Sequence, residues 1–203
     1  MRCNFIFCCL ALCQIGFAET PINALKRLKQ GNLRYVNDRS LYCDHSADRR
    51  SELTHSQNPF AIILGCSDSR VPPEIIFDQG LGDLFIIRVA GNVLGATELD
   101  SIDFAAKYLG ASLIVVMGHA SCGAVSAVMK GQTADIANIA ALIKPSIEGA
   151  YTLEEAIKAN VRGAVNALKQ NSFINALIKA KKIDCVGAYY DLGSGKVEIL
   201  DRD

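Results

Sequence analysis

The sequence predicts a single α/β domain built on a mostly parallel central sheet flanked by helices. Three observations carry that prediction. Short, unbroken apolar runs recur at 60–64, 84–87, 113–117 and 183–192, as strands buried on both faces require. Stretches with helical apolar spacing separate those runs, and strands alternating with helices make an open, mainly parallel sheet. The first and third runs end in Gly65 and Gly118, which mark turns at strand ends.

The elements follow in order. Thr20-Pro21 reads as a cap and a first-turn proline, and Ile22, Leu25, Leu28 and Leu33 then mark an amphipathic helix to about Tyr35. The polar stretch from Asn37 to Asn58 predicts loop with a short helix. Phe60 to Leu64 and Leu84 to Ile87 are the first two strands. Thr97 is expected to cap a helix carrying Leu99, Ile102, Ala106 and Leu109, which Gly110 stops. Leu113 to Met117 is the third strand. Thr152 and Glu155 have capping-box spacing, followed by a stripe of Leu153, Ala156, Ile157, Val161, Ala164, Val165 and Leu168. Asn160 falls on that stripe and is expected to be a hydrogen-bonded polar group in the core. Ile183 to Leu192 is the fourth strand. After a Gly193-Ser194-Gly195 turn, Lys196 to Leu200 alternates like an antiparallel edge strand. The expected sheet is thus about four parallel strands plus one antiparallel edge.

The N-terminus reads differently. Arg2 precedes a nearly continuous apolar stretch from Phe5 to Phe17, and the small residues Gly16 and Ala18 would precede a cleavage after Ala18. This is a secretory signal pattern, too short to span a bilayer. Residues 1–18 are therefore expected to be a signal peptide and 19–203 the domain, in a periplasmic or secreted protein with no membrane attachment once the signal is removed. The formal net charge is zero, which argues against nucleic acid or an anionic membrane as partner.

Removing 1–18 leaves Cys43, Cys66, Cys122 and Cys185, too few and too dispersed for a disulfide-dense scaffold. Cys185 sits in an apolar run and reads as core; pairing with Cys43 stays open.

The chemistry concentrates in two segments, each directly after a predicted strand: Cys66-Ser67-Asp68-Ser69-Arg70-Val71-Pro72 and Gly118-His119-Ala120-Ser121-Cys122-Gly123. In open α/β sheets ligands bind beyond the carboxyl ends of strands, at the switch point. If the first and third strands are neighbours, Cys66 meets His119 and Cys122 there. His119 and Cys122 are three apart, a spacing that one helical turn would present to one ion. Two cysteines and a histidine make a catalytic rather than a structural zinc set, because a fourth position stays free. The bland alternative is three buried residues without metal. Asp68 and Arg70 lie two and four residues beyond Cys66, so extended backbone would put all three on one side. A carboxylate held by a guanidinium stays ionised and oriented; a surface ion pair is the competing reading. His45 and His55, in the polar stretch, read as surface residues.

Those two runs resemble the two signatures of the β-class carbonic anhydrases. Leu84 to Asn92, Asn160-Val161 and the hairpin from Gly187 to Val197 extend the resemblance over nearly all of 19–203. It implies zinc held by Cys66, His119 and Cys122, and an Asp68–Arg70 dyad beside it. The implied reaction is the reversible hydration of carbon dioxide to bicarbonate and a proton, by attack of zinc-bound hydroxide. It further implies that Gln57 and the backbone of Gly123 contact substrate and that Phe85 and Ala90 line an apolar pocket. The implied assembly is a homodimer or homotetramer with the site at the subunit interface and the first helix packed across onto the partner.

Two departures stand out. Asp103-Phe104-Ala105 replaces a Glu or Gln with an aromatic and alanine. Ile63 occupies the position of a tryptophan that, with counterparts of Arg88 and Tyr190, builds a regulatory bicarbonate pocket in some members; the chain has no tryptophan.

The competing functions are hydrolysis of carbonyl sulfide or carbon disulfide on the same fold, and a non-enzymatic zinc-binding protein. The second predicts a site without Asp68 and Arg70 in reach. A redox protein would want a Cys-x-x-Cys pair, and a nucleotide-binding one a glycine-rich loop after the first strand; the sequence has neither.

Overall fold

The computed structural model describes residues 19–41 and 44–200; the signal peptide expectation and Cys43 lie outside them. In chain order the elements are α1 (Pro21–Val36), α2 (Ala47–Glu52), β1 (Ala61–Gly65), α3 (Pro73–Ile76), β2 (Leu84–Arg88), α4 (Ala96–Tyr108), β3 (Leu113–His119), α5 (Gly123–Met129), α6 (Ala137–Ile147), α7 (Leu153–Gln170), α8 (Ser172–Lys179), β4 (Asp184–Tyr190) and β5 (Val197–Leu200).

One five-stranded sheet runs β2-β1-β3-β4-β5. Every pairing is parallel except β4 with β5, as the sequence predicts. The chain leaves β1 for β2 on one side and returns past β1 to β3 on the other, so the switch point falls at the carboxyl ends of β1 and β3. Both strands are wholly buried, and each fully buried Ile or Val side chain there contributes about 1.5–3 kcal/mol. Opposite faces are covered by different helices. Val115 faces Leu25 and Leu28 of α1, while Gly118 packs on Ile157 and Val161 of α7.

Several elements differ from expectation. Thr97 does not cap α4: the cap is Gly95, two residues earlier, and Glu98 folds back so that the Gly95 N–H donates to its carboxylate at 3.1 Å. The Thr152–Glu155 box forms as predicted. The predicted buried second strand is an edge strand whose Leu84 to Ile87 are only half-buried, because it has one neighbour. The first helix also makes contacts within its own chain. Asn32 in α1 donates to the carbonyls of Ile76 and Gly195 and accepts from the Val197 N–H, and Arg34 pairs with the buried Asp78. Ile22 and Leu33, at 71% and 62% exposure, remain on the outside of that helix.

Candidate metal centre

Parallel pairing of β1 with β3 aligns Gly65 with Met117, so the residues just past each strand meet. Cys66 follows β1 and is 5% exposed; His119 ends β3 at 1%. A left-handed residue, Ser121 at φ 57°, then turns the chain, and Cys122 stands at the cap position of α5. His119 and Cys122 are therefore presented by a strand end, a tight turn and a helix start, rather than by the single helical turn their spacing suggests. One ligand atom from each of Cys66, His119 and Cys122 lies within 4.8 Å of the other two.

The protonation chemistry of this cluster fits a divalent ion. His119 Nδ1–H donates to the Ala120 carbonyl at 2.9 Å, which fixes the tautomer and leaves the Nε2 lone pair inward. That Nε2 is buried and has no hydrogen-bond partner. The Cys66 thiol is held below its ordinary value by a hydrogen bond from Cys122, against burial, with help from the N–H groups of Gly91 and Asp68. Pairing with Cys66 and burial push Cys122 well above its ordinary value. Two sulfurs this close share one proton unless a cation replaces it, and two thiolates with an imidazole are a zinc donor set.

Asp68 stands at the rim. Its carboxylate accepts from the Arg70 backbone N–H at 2.9 Å, from Arg70 Nε at 2.9 Å and from Nη2 at 2.7 Å. Its Oδ2 lies 3.9 Å from His119 Nε2. The Arg70 guanidinium holds the carboxyl far below the usual carboxylate range. The sequence expects extended backbone here, but the segment is a turn in which Asp68 caps Arg70. The carboxylate is in reach of the donor cluster, contrary to what a plain zinc reservoir predicts.

The remaining expected residues divide. Gly123 is the first residue of α5, exposed, with open space where a Cβ would stand. Ala90 immediately precedes Gly91, whose N–H donates to Cys66 Sγ at 3.3 Å. Gln57 is exposed and precedes β1, so the whole strand, about 16 Å long, separates it from Cys66. Phe85 pairs with Ile62 near the start of β1, also away from the cluster. A single chain does not bring these two to the site. His45 and His55 are exposed, as expected.

The residues at the positions of the regulatory pocket of some members are each engaged within this chain. Ile63 is fully buried. Arg88 is spent on backbone carbonyls, with Nε donating to Cys66 at 2.9 Å and Nη2 to Asp68. Tyr190 is 2% exposed, its hydroxyl 3.3 Å from that of Tyr35. Two contacts lay beyond sequence reasoning: the Arg88 clamp and the approach of Gly91 to Cys66. Both join residues 20 or more positions apart, and no local pattern announces them.

A model of the carbonic anhydrase family matches residues 61–197, from the start of β1 to the start of β5. The β-carbonic anhydrase CcaA superimposes with a TM-score of 0.70 at 26% identity, over 87% of this chain and 95% of that one. The chain belongs to the β-class carbonic anhydrases. This carbonic anhydrase is 39% identical over 193 residues to carbonic anhydrase of Mycolicibacterium smegmatis, covering 89% of this chain and 94% of that one. It is 37% identical over 194 residues to carbonic anhydrase 2 of Mycobacterium tuberculosis, covering 90% and 94%. As a member of this zinc-dependent family it catalyses the reversible hydration of carbon dioxide to bicarbonate, and the hydrolysis of carbonyl sulfide or carbon disulfide is not favoured.

Proposed function

We propose that Cys66, His119 and Cys122 hold the zinc and that Asp68 and Arg70 govern the nucleophile beside it. The convergence of the three donor atoms within 4.8 Å, with His119 Nε2 otherwise unpartnered, is the observation that carries this reading. A zinc ion held there supplies Lewis acidity, which makes a water molecule acidic enough to serve as nucleophile near neutral pH.

The chain's own residues do the rest. Arg70 keeps Asp68 ionised, so that Oδ2 accepts a hydrogen bond from the O–H of the attacking oxygen and thereby turns that oxygen's lone pair toward carbon. Arg88 fixes the backbone of Cys66 and Asp68, which sets the distance between ligand and acceptor. The His119 Nδ1 contact with Ala120 keeps the imidazole in the tautomer that presents Nε2. The Gly123 N–H, at a helix start, offers a donor to a substrate oxygen, and Ala90 gives the pocket an apolar wall.

Gln57 and Phe85 complete this site from a second copy. Strand β2 is an unpaired edge with half-buried Leu84, Phe85, Ile86 and Ile87, and an open apolar edge is a template for another chain. Two-fold pairing along it is antiparallel, which carries the amino-terminal end of one β2 toward the carboxyl-terminal end of the other. The working unit is then a homodimer, or a tetramer of two. Residues 1–18 serve as a secretory signal, and the mature protein acts in the periplasm or outside the cell; no described helix is long and apolar enough to cross a membrane.

Stopped-flow hydration of carbon dioxide, with zinc measured on the same sample of the 19–203 chain, tests the assignment. One zinc per chain, lost together with turnover in Cys122→Ser, is expected. Full zinc content in that variant would remove Cys122 from the ligand set.

A further inference from the structure

The apolar stripe of α7 has one exception, Asn160. It is 3% exposed among Ala156, Ile157, Val161 and Ala164. An amide in that place is unfavourable unless it is satisfied, and asparagine is a poor helix residue. Its Nδ2 donates to the carbonyl of Gly91 at 2.8 Å, across 69 positions of sequence.

Gly91 is where this contact becomes chemical. It has φ 73° and ψ 15°, the left-handed conformation that suits glycine, and a Cβ there would stand 2.8 Å from Ile143 Cδ1. The turn around it is closed by the Asn92 N–H donating to Val89 at 2.9 Å. The Gly91 N–H then donates to Cys66 Sγ at 3.3 Å. With the Gly91 carbonyl tied to α7 and the turn closed behind it, that N–H is aimed at the sulfur.

We infer that Asn160 is a positioning residue for Cys66: through Gly91 it holds a backbone N–H on the sulfur and so sets how much electron density that sulfur gives to the metal. This rests on the zinc reading above. A hydrogen bond to a thiolate draws charge from sulfur, and such outer contacts tune a metal site as much as they orient it. The residue earns no such role from packing alone, since an apolar side chain of equal volume would fill the same place on α7.

The test uses the full domain loaded with cobalt(II), whose thiolate-to-cobalt charge-transfer band reports the electron richness of the sulfur. Asn160→Leu removes the donor while keeping the branching and the number of side-chain heavy atoms, and should move the band to longer wavelength. Leu168→Ala, two turns along the same helix and fully buried, destabilises α7 away from Gly91 and should leave the band in place. An unmoved band in Asn160→Leu, or equal movement in both variants, overturns the inference. If the unaltered protein shows no thiolate band with cobalt, the metal reading itself falls and this inference with it. Should Asn160→Leu fail to fold, the unaltered protein decides the Gly91 step. Loaded with an NMR-active cadmium isotope, it should show coupling between the Gly91 amide proton and the metal through Cys66 Sγ. Asn160 Nδ2 should likewise show coupling to the Gly91 carbonyl carbon. The absence of either coupling overturns the proposal.

Discussion

Replacing Asp68 with asparagine isolates the part of the site that is not a metal ligand. The exchange keeps the shape and keeps Oδ1 as acceptor for the Arg70 N–H and Nε, but Oδ2, which accepts from Arg70 Nη2 at 2.7 Å, becomes an NH2 that sets donor against donor. Two charge-assisted contacts are weakened and one is inverted. Such bonds contribute about 1.5–3 kcal/mol each when shielded, and Arg70 is 53% exposed, so the lower end applies. A loss of about 2–3 kcal/mol in orienting the nucleophile corresponds to a fall of roughly 30- to 160-fold in kcat/KM. Zinc content should be unchanged, because Cys66, His119 and Cys122 are untouched. The assay is stopped-flow hydration with metal analysis on the same preparation. The stability arm has a definite sign. The folded Asp68 carboxyl lies below its ordinary value of 3.8, so its stabilisation is present above that pH and disappears as pH falls through the depressed value. The melting difference between wild type and variant should therefore be largest near neutrality and close in strong acid. Wild-type turnover in a zinc-replete Asp68→Asn would refute the role assigned to this carboxylate.

Three other outcomes are expected. Gly118→Ala would put a Cβ 2.7 Å from Val161 Cγ2 and 3.0 Å from Ile157 Cγ2; overpacking of about 1–3 kcal/mol should lower the melting temperature by roughly 5 °C and cut turnover by shifting His119, and an unchanged melt would show that α7 yields there. Two thiolates offset the charge of a divalent ion, so the nucleophile formed here is less acidic than at a three-histidine site; kcat should climb between about pH 7 and about pH 9, and a flat profile would contradict it. Burial pushes the Cys185 thiol up to about 12, so in native protein at about pH 8 iodoacetamide should leave it unmodified by mass spectrometry and label it only after unfolding; rapid labelling would mean β4 opens.

What the sequence could reveal was local. Cys66, Asp68, Arg70, His119 and Cys122 each follow an apolar run within a few residues, so strand order alone brings them together. Sheet composition and the antiparallel edge were readable because burial on two faces leaves continuous apolar runs. Helices α3, α5, α6 and α8 escaped: α3 is a single turn of four residues, Gly123 to Met129 is short and made mostly of small residues, Pro145 sits inside α6, where it argues against a helix, and α8 follows α7 with only Asn171 between them. The cap of α4 was misassigned because Thr97 is a better capping residue by type, while Gly95 won through the reach of Glu98. Gln57 and Phe85 came from the resemblance, and their distance from Cys66 in one chain depends on which end of a strand each occupies, something a linear motif does not encode.

If Gln57 reaches the metal centre from a second copy, as proposed above, that separation along β1 makes the catalytic centre shared property. Mixing a copy crippled at Cys122 with one crippled at Gln57 would restore one sound centre in each mixed pair, made from the healthy part of each, while neither parent works alone. Such rescue by complementation, together with a specific activity that sinks as the protein is diluted, is what an enzyme divided between two chains must display.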